Sequence, residues 1–152
     1  MYNDYYRPFM MGGPVGITFF SIIGIVAYVL SALGLMKLAQ NKGIENAWLA
    51  WIPIANFYLL GRIVETVNIG TWEIPRLEIV LPVSFAVVMV LGRIPVLGFL
   101  LFIAFAVLMG FVLYRLFSKY RPDQAVLYTV LSIVLGLFWI FVFIIRNDKE
   151  VA

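Results

Sequence analysis

Long apolar stretches separated by short charged segments dominate the pattern of this chain. Three of these stretches carry no Asp, Glu, Lys or Arg, and they cover residues 8–36, 94–114 and 124–145, with Asp123 just before the last. An α-helix rises about 1.5 Å per residue, so about 20 apolar residues cross the roughly 30 Å hydrocarbon core of a bilayer. Each stretch is therefore long enough to span a membrane as one helix.

This pattern predicts an all-α, polytopic helical membrane protein with about four transmembrane helices and one proline-broken segment that is re-entrant or interfacial. The helices are expected at about residues 16–38, 75–92, 95–117 and 124–145, and the broken apolar segment at 44–63. Together they form a single transmembrane domain over residues 16–145. We expect a flexible N-terminal tail at residues 1–15 and a polar C-terminal tail at residues 146–152.

The broken segment is intensely apolar but carries Pro53 near its middle. Proline lacks a backbone donor and biases Ile52 toward an extended conformation, so we predict that the helix breaks near Trp51 and Ile52. Each half is then too short to span a bilayer. Asn56 lies shortly after the proline, where we expect it to bond a carbonyl that the break releases.

The predicted helix at residues 75–92 contains Glu78, a charged residue that is costly inside a bilayer. From Arg76 to Arg93 a helix rises about 27 Å, which is enough to cross if both arginines reach toward the headgroups. Glu78 lies inside this range. It must reach the interface, pair with Arg62 or Arg76, or take up a proton.

The number of crossings depends on the Pro53 segment. If that segment returns to the side it entered, four crossings place seven Lys and Arg residues on one side and four on the other. If it spans, five crossings divide them six to five, which gives no preferred orientation. We favour four crossings, with both termini outside and the basic loops in the cytoplasm.

An internal similarity agrees with this choice. One ungapped shift of the sequence against itself aligns Lys37 with Arg115 and Glu45 with Asp123, along with several aliphatic positions. A duplicated unit of helix, basic loop and acidic cap follows, with parallel halves in the four-crossing arrangement and inverted halves in the five-crossing one. Packing of small residues, such as Gly24 and Gly34, is expected between helices of the chain or between two copies.

The amino-acid composition limits the functions that this chain can have. A mean hydropathy of +1.02 and only 12% charged residues lie far from a water-soluble domain, where about a quarter of residues are charged. The net charge of +3 is scattered at the ends of apolar stretches, which predicts topology signals and no nucleic-acid partner. The chain has no Cys and no His, and it has no nucleophile, phosphate-binding or zinc motif. We therefore predict no enzyme, no cofactor and no metal.

Charged residues near the broken segment form the one candidate polar site. Irregular backbone at membrane depth is tolerated where it is buried in protein or lines a wet cavity, which favours this region. The alternative is that these side chains only reach the interface and pair with one another. The candidate residues are Asn56, Arg62, Glu65, Arg76 and Glu78.

Two patches resemble a group of small, uncharacterised bacterial membrane proteins with several crossings. The first is GLMKLAQNKGIENAWLAWIPIANFYLLGRI at residues 34–63, in which a basic turn and a Trp-containing stretch precede Ile-Pro, Asn and an aromatic. The second comprises YRLFSKYRPDQAVLYTVLSI and IIRND at residues 114–133 and 144–148, similar to clostridial members. The resemblance implies a bacterial cytoplasmic membrane, and it carries no activity.

Three functions remain open on the sequence. We expect a non-enzymatic accessory or partner-binding component of the envelope, in contact with the lipid bilayer and with a membrane-protein partner or a second copy. The alternative is a small transporter or pore whose permeant contacts the broken segment around Asn56. A lipid-modifying enzyme would need an essential carboxylate pair such as Glu73 and Glu78.

Overall fold

The protein is mostly helical, in a computed structural model that describes the backbone of residues 14–151 and the side chains of residues 19–151. The α-helices are α1 (Pro14–Asn41), α2 (Ala55–Val64), α3 (Leu77–Leu91), α4 (Pro95–Tyr120), α5 (Ala125–Leu135) and α6 (Phe138–Ile145). Short 3-10 helices cover Ala47–Trp51 and Pro122–Gln124. Strands β1 (Val67–Ile69) and β2 (Trp72–Ile74) pair antiparallel. This hairpin departs from the purely α-helical prediction.

Two helices are long and apolar enough to cross a membrane, and they are Phe19–Asn41 within α1 and Pro95–Tyr120, which is α4. Only 17% of each hydrophobic window is buried, whereas a core helix of a water-soluble protein is mostly buried. The N-terminal tail expected at residues 1–15 lies outside the described residues, apart from Pro14 and Val15, which begin α1.

A glycine ends α1. Gly43 has a φ of +68°, a conformation that costs a residue without Cβ little. Its N–H donates to the carbonyl of Gln40 at 3.0 Å, and the N–H of Ile44 donates to that of Ala39 at 2.9 Å. This pair of bonds is the Schellman motif, which satisfies the last carbonyls of the helix and turns the chain.

The proline-broken segment turns back to the end of the molecule from which it starts. Lys42 precedes the segment and Glu65 follows it, yet their side chains form an ion pair of 2.7 Å. The Tyr28 hydroxyl donates to the Trp51 carbonyl at the turn, about 20 Å along α1 from Asn41. The break therefore lies where Pro53 predicts it, and residues 44–64 form a first return segment.

The helix expected over residues 124–145 is divided in the structure and also turns back. Gly136 adopts a φ of +64° between α5 and α6, and the Tyr128 and Phe141 rings stack at 4.4 Å. Arg121 and Asp148, which flank the segment, form an ion pair of 2.6 Å. In one continuous helix they would lie about 40 Å apart. Residues 122–145 therefore form a second return segment, and this part of the four-helix arrangement is not observed.

The helix expected at residues 75–92 begins at Leu77, after Arg76 in a left-handed conformation. Pro82 lies within α3 without ending it. A Cβ added at Gly61 of α2 would collide with the backbone of Leu77 and Glu78, so α2 and α3 pack with their backbones nearly in contact.

The buried core lies at one end of the molecule, which we call the loop end because α1 and α4 both finish there. Side chains such as Leu38, Ile63 and Phe117 are fully buried at that end. At the opposite end, which we call the open end, Phe19, Val90 and Val96 are exposed. The core residues of each long helix belong to the last third of α1 and of α4, which agrees with a bundle that is tight at one end only.

Candidate functional site

Four charged side chains meet at the loop end and form what we call the ion cluster, made of Lys42, Glu65, Lys119 and Glu150. Each lysine lies within 4 Å of both carboxylates, at 2.7 and 3.4 Å for Lys42 and at 3.4 and 3.1 Å for Lys119. The lysine side chains are only 15% and 13% exposed, whereas Glu65 is 60% exposed. The cluster therefore holds two shielded positive charges between two more accessible negative ones.

The ends of three helices position the two lysines. Lys42 follows the last residue of α1, and Lys119 lies in the last turn of α4. Both ammonium groups donate to the Ile63 carbonyl near the end of α2, at 3.0 and 3.3 Å. Because carbonyls in the last turn of a helix lack partners within the helix, the lysines satisfy one of them and complement the helix dipole.

The cluster shifts the pKa values of its members in the directions expected of ion pairs. Burial opposes protonation of Lys42, but the hydrogen bond to Glu65 and the charge of Glu150 outweigh it and raise the lysine pKa. The hydrogen bond from Lys42 in turn holds the pKa of Glu65 below its ordinary value, and the charge of Lys119 contributes in the same direction. This lysine and this carboxylate are thus both charged at neutral pH.

The C-terminal segment crosses the loop end and carries Glu150 into the cluster. Asn41 Nδ2 donates to the Arg146 carbonyl at 2.9 Å, and the N–H of Val151 donates to the Lys119 carbonyl at 2.7 Å. The ion pair of Arg121 with Asp148 fixes the segment between these two points, and it raises the pKa of Arg121. Residues 146–151, predicted as a polar tail, therefore form part of the site.

Two cavities flank Glu150 at the loop end. One has a volume of about 560 Å³ and is lined by residues that include Asn41, Lys42 and Tyr120. The other has a volume of about 420 Å³ and is lined by residues that include Arg115 and Lys119. Each lysine of the ion cluster faces a different cavity, and the Glu150 side chain lines both.

Only one of the five candidate residues from the sequence belongs to this cluster. Glu65 joins it, with a backbone φ of +73° just after α2. Arg62 is exposed, and its Nη1 donates to the Tyr58 hydroxyl at 3.0 Å. Arg76 is exposed and precedes α3. The candidate residues thus do not form one site.

The remaining two candidates lie at helix starts. Glu78 is half-buried in the first turn of α3, where the helix dipole favours a carboxylate, and within the described residues it forms no ion pair with Arg62 or Arg76. Asn56 lies in the first turn of α2, and its N–H donates to the Ile52 carbonyl at 2.8 Å. Its side-chain oxygen is buried without a hydrogen-bond partner among residues 19–151. The bond expected at the break would be donated to a carbonyl by the side-chain nitrogen, and no such bond is present among the described residues.

Sequence reasoning missed Lys42, Lys119 and Glu150 as site residues. A signal was available, because Lys42 and Lys119 follow the two apolar stretches that the internal similarity aligns with each other. The role of Glu150 depends on the second return segment bringing the C-terminus back to the loop end, which has no local signature.

The described residues contain no group of three or more carboxylate, Cys or His side chains able to hold a metal ion. Comparison with known protein families, curated proteins and solved structures finds no match for this chain. Its chemistry must therefore be argued from the ion cluster, the return segments and the exposed apolar surface.

Proposed function

We propose that this protein is an integral membrane protein in which α1, α3 and α4 cross the bilayer, while the two return segments enter it from the loop end. Helix α3 rises about 22 Å, so it crosses if Arg76 and Arg93 extend toward the headgroups on opposite sides. Three crossings replace the four expected from the sequence, because the segment at 122–145 returns.

The distribution of basic residues supports this topology. With the C-terminus at the loop end, nine of the eleven Lys and Arg residues belong to that side, and Arg7 and Arg93 alone belong to the other. Cytoplasmic loops are enriched in Lys and Arg, so the loop end is proposed to face the cytoplasm. The similarity to small bacterial membrane proteins at residues 34–63 and 114–133 favours a bacterial plasma membrane.

Within that membrane we propose a non-enzymatic role as a partner-binding component of the envelope. The observation that carries this proposal is the state of α1 at the open end. Every residue from Phe19 to Val26 is exposed, and a Cβ at Gly24 would meet no atom of the described residues within 4 Å. Because this part of α1 is exposed on all sides and has a small residue on its surface, a membrane helix can approach it closely. That helix belongs either to another protein or to a second copy of this chain.

Site-specific photocrosslinking in membranes tests this role. A photoreactive residue at Ile25, which is 63% exposed, is expected to capture a reproducible protein partner or a second copy. The same probe at Phe102 of α4, which is 62% exposed, controls for general contact with membrane proteins. Introducing Gly24→Leu into the Ile25 variant should abolish the adduct by blocking close approach. A lone monomer at both positions contradicts the proposal.

A second function, that of a small transporter or pore, is favoured by Asn56 alone. Its unpartnered side-chain oxygen lies in the first return segment, at a depth where a polar atom normally needs a partner. Flux of ions or small solutes into proteoliposomes tests this function, with Asn56→Ala and Glu78→Gln as probes. Flux that Asn56→Ala abolishes would support the pore, whereas lack of flux would leave the partner-binding role as the proposal.

A further inference from the structure

Glu150 occupies the position of an anion between two shielded ammonium groups. Its carboxylate lies 3.4 Å from Lys42 Nζ and 3.1 Å from Lys119 Nζ. The Glu150 side chain is 34% exposed, so it can rotate into solvent while the rest of the C-terminal segment stays in place. That segment is fixed independently, by the bonds of Arg146, Asp148 and Val151 to the helix ends.

The space that such a rotation opens is larger than a carboxylate. Glu150 lines both cavities, of about 560 and 420 Å³, so its departure enlarges the space beside Lys42 in one and beside Lys119 in the other. Glu65 remains on the lysines and neutralises one of the two positive charges. The vacated site therefore keeps a net positive charge from these three groups. Arg115 and Lys149 also line the cavities, as does Asp148, whose charge is paired with Arg121.

A second and independent feature of this space is an unused hydroxyl. Tyr120 lines the larger cavity and is 4% exposed, and its hydroxyl is buried without a hydrogen-bond partner among the described residues. A buried polar group without a partner is costly, so such groups normally bond to something. A hydroxyl can donate to an anion that carries more acceptor oxygens than Glu150 offers.

We propose that Lys42, Lys119 and Tyr120 form a binding site for a phosphate group, and that Glu150 is its intramolecular competitor. The phosphate replaces the Glu150 carboxylate between the two ammonium groups, and the Tyr120 hydroxyl donates to one of its oxygens. Phosphate has the chemistry that fits, because it combines negative charge with several acceptor oxygens directed to different donors. At the loop end the group is supplied either by an anionic lipid headgroup or by free phosphate.

Binding measurements on the full chain in nonionic detergent micelles test the proposal. The probes are inorganic phosphate, short-chain phosphatidylglycerol and short-chain phosphatidylcholine, followed by phosphorus NMR titration and isothermal titration. Glu150→Gln is expected to bind phosphatidylglycerol or phosphate about tenfold more tightly than the natural chain, because it removes a competing charge and keeps the shape. Glu73→Gln, the same chemical change at an exposed carboxylate of β2 that lines neither cavity, is the matched control and should change binding little.

Two further variants separate a phosphate site from general attraction to basic residues. In the Glu150→Gln background, Lys119→Met should abolish the gain, and Tyr120→Phe should weaken binding several-fold while leaving the buried ring in place. Circular dichroism verifies that each variant keeps its helical content. If Lys119→Met unfolds the chain, the Tyr120→Phe result alone decides for or against the site.

Each outcome of these titrations has one meaning. Tighter binding of phosphatidylglycerol than of inorganic phosphate assigns the site to a lipid headgroup, and the reverse order assigns it to free phosphate. Equal affinity of the natural chain and Glu150→Gln for both probes overturns the proposal. Equal binding of phosphatidylcholine and phosphatidylglycerol also overturns it, because acyl chains rather than the anionic group would then be recognised.

Discussion

Replacing Gly61 by alanine tests the close packing of α2 on α3, which fixes the first return segment against that helix. The new methyl group would collide with the backbone of Leu77 and Glu78, and backbone cannot rotate away as a side chain can. Overpacking of this kind costs about 1–3 kcal/mol, and a backbone neighbour places it at the upper end. Alanine recovers up to about 1 kcal/mol of helix propensity, so we expect a net loss of about 2 kcal/mol.

Gly24→Ala provides the matched control, since it is the same chemical change at a helix position where the described part of the chain places no atom within 4 Å. We expect it to leave the free energy of unfolding unchanged or to raise it by up to about 1 kcal/mol. The two variants should thus differ by about 2–3 kcal/mol. Unfolding by SDS titration in mixed micelles, followed by the fluorescence of Trp48 and Trp51 near the break, measures both. Equal unfolding free energies would refute the packing argument.

Two other perturbations address the second return segment and the ion cluster. Phe141→Ala should lower the free energy of unfolding by an amount near the low end of the about 3–5 kcal/mol typical of buried phenylalanine, because the unfolded helices stay in lipid. Phe102→Ala, at an exposed position, should lower it little. The same SDS titration measures both variants, and equal losses would contradict the stacking of Phe141 on Tyr128. Because Lys42 lowers the pKa of Glu65, the stabilisation from this carboxylate is complete above about pH 4.3 and is lost as the pH falls through its folded-state pKa. Unfolding at about pH 6 and about pH 3.5 should therefore show a larger acid loss in the natural chain than in Glu65→Gln, and equal losses would contradict the ion pair.

The two return segments differ in how far the sequence predicts them. Proline removes a backbone donor and restricts the conformation of the residue before it, so Pro53 predicts the first break from the local sequence alone. Glycine is common within transmembrane helices, so Gly136 in the uncharged stretch at 124–145 is compatible with a continuous helix. What divides that helix is tertiary: Phe141 packs on Phe117 and Tyr128, and α6 lies along α1 at Gly34.

The candidate site could be predicted only in part for a related reason. The charged residues near the broken segment pointed to Glu65, but its partners Lys42 and Lys119 lie at the ends of α1 and α4. Glu150, from the C-terminal segment, pairs with the same two lysines. Pairing across such distances in sequence depends on where each return segment ends. A long helix, a 3-10 helix and shorter helices follow one another in this order twice along the chain. The shift that aligns Lys37 with Arg115 nevertheless places the 3-10 helix Ala47–Trp51 against α5, so the duplication stays a prediction.

The topology of the second return segment decides how the whole chain lies in the membrane, and the lack of native cysteine makes it directly measurable. Single cysteines at Asn68, Arg93 and Lys149, all exposed, can be labelled with a membrane-impermeant maleimide in intact cells and in inverted vesicles. We predict that Lys149 labels from the same side as Asn68, in the cytoplasm, and that Arg93 labels from the opposite side. Labelling of Lys149 together with Arg93 would mean that residues 124–145 cross the membrane, which would contradict the structure described above.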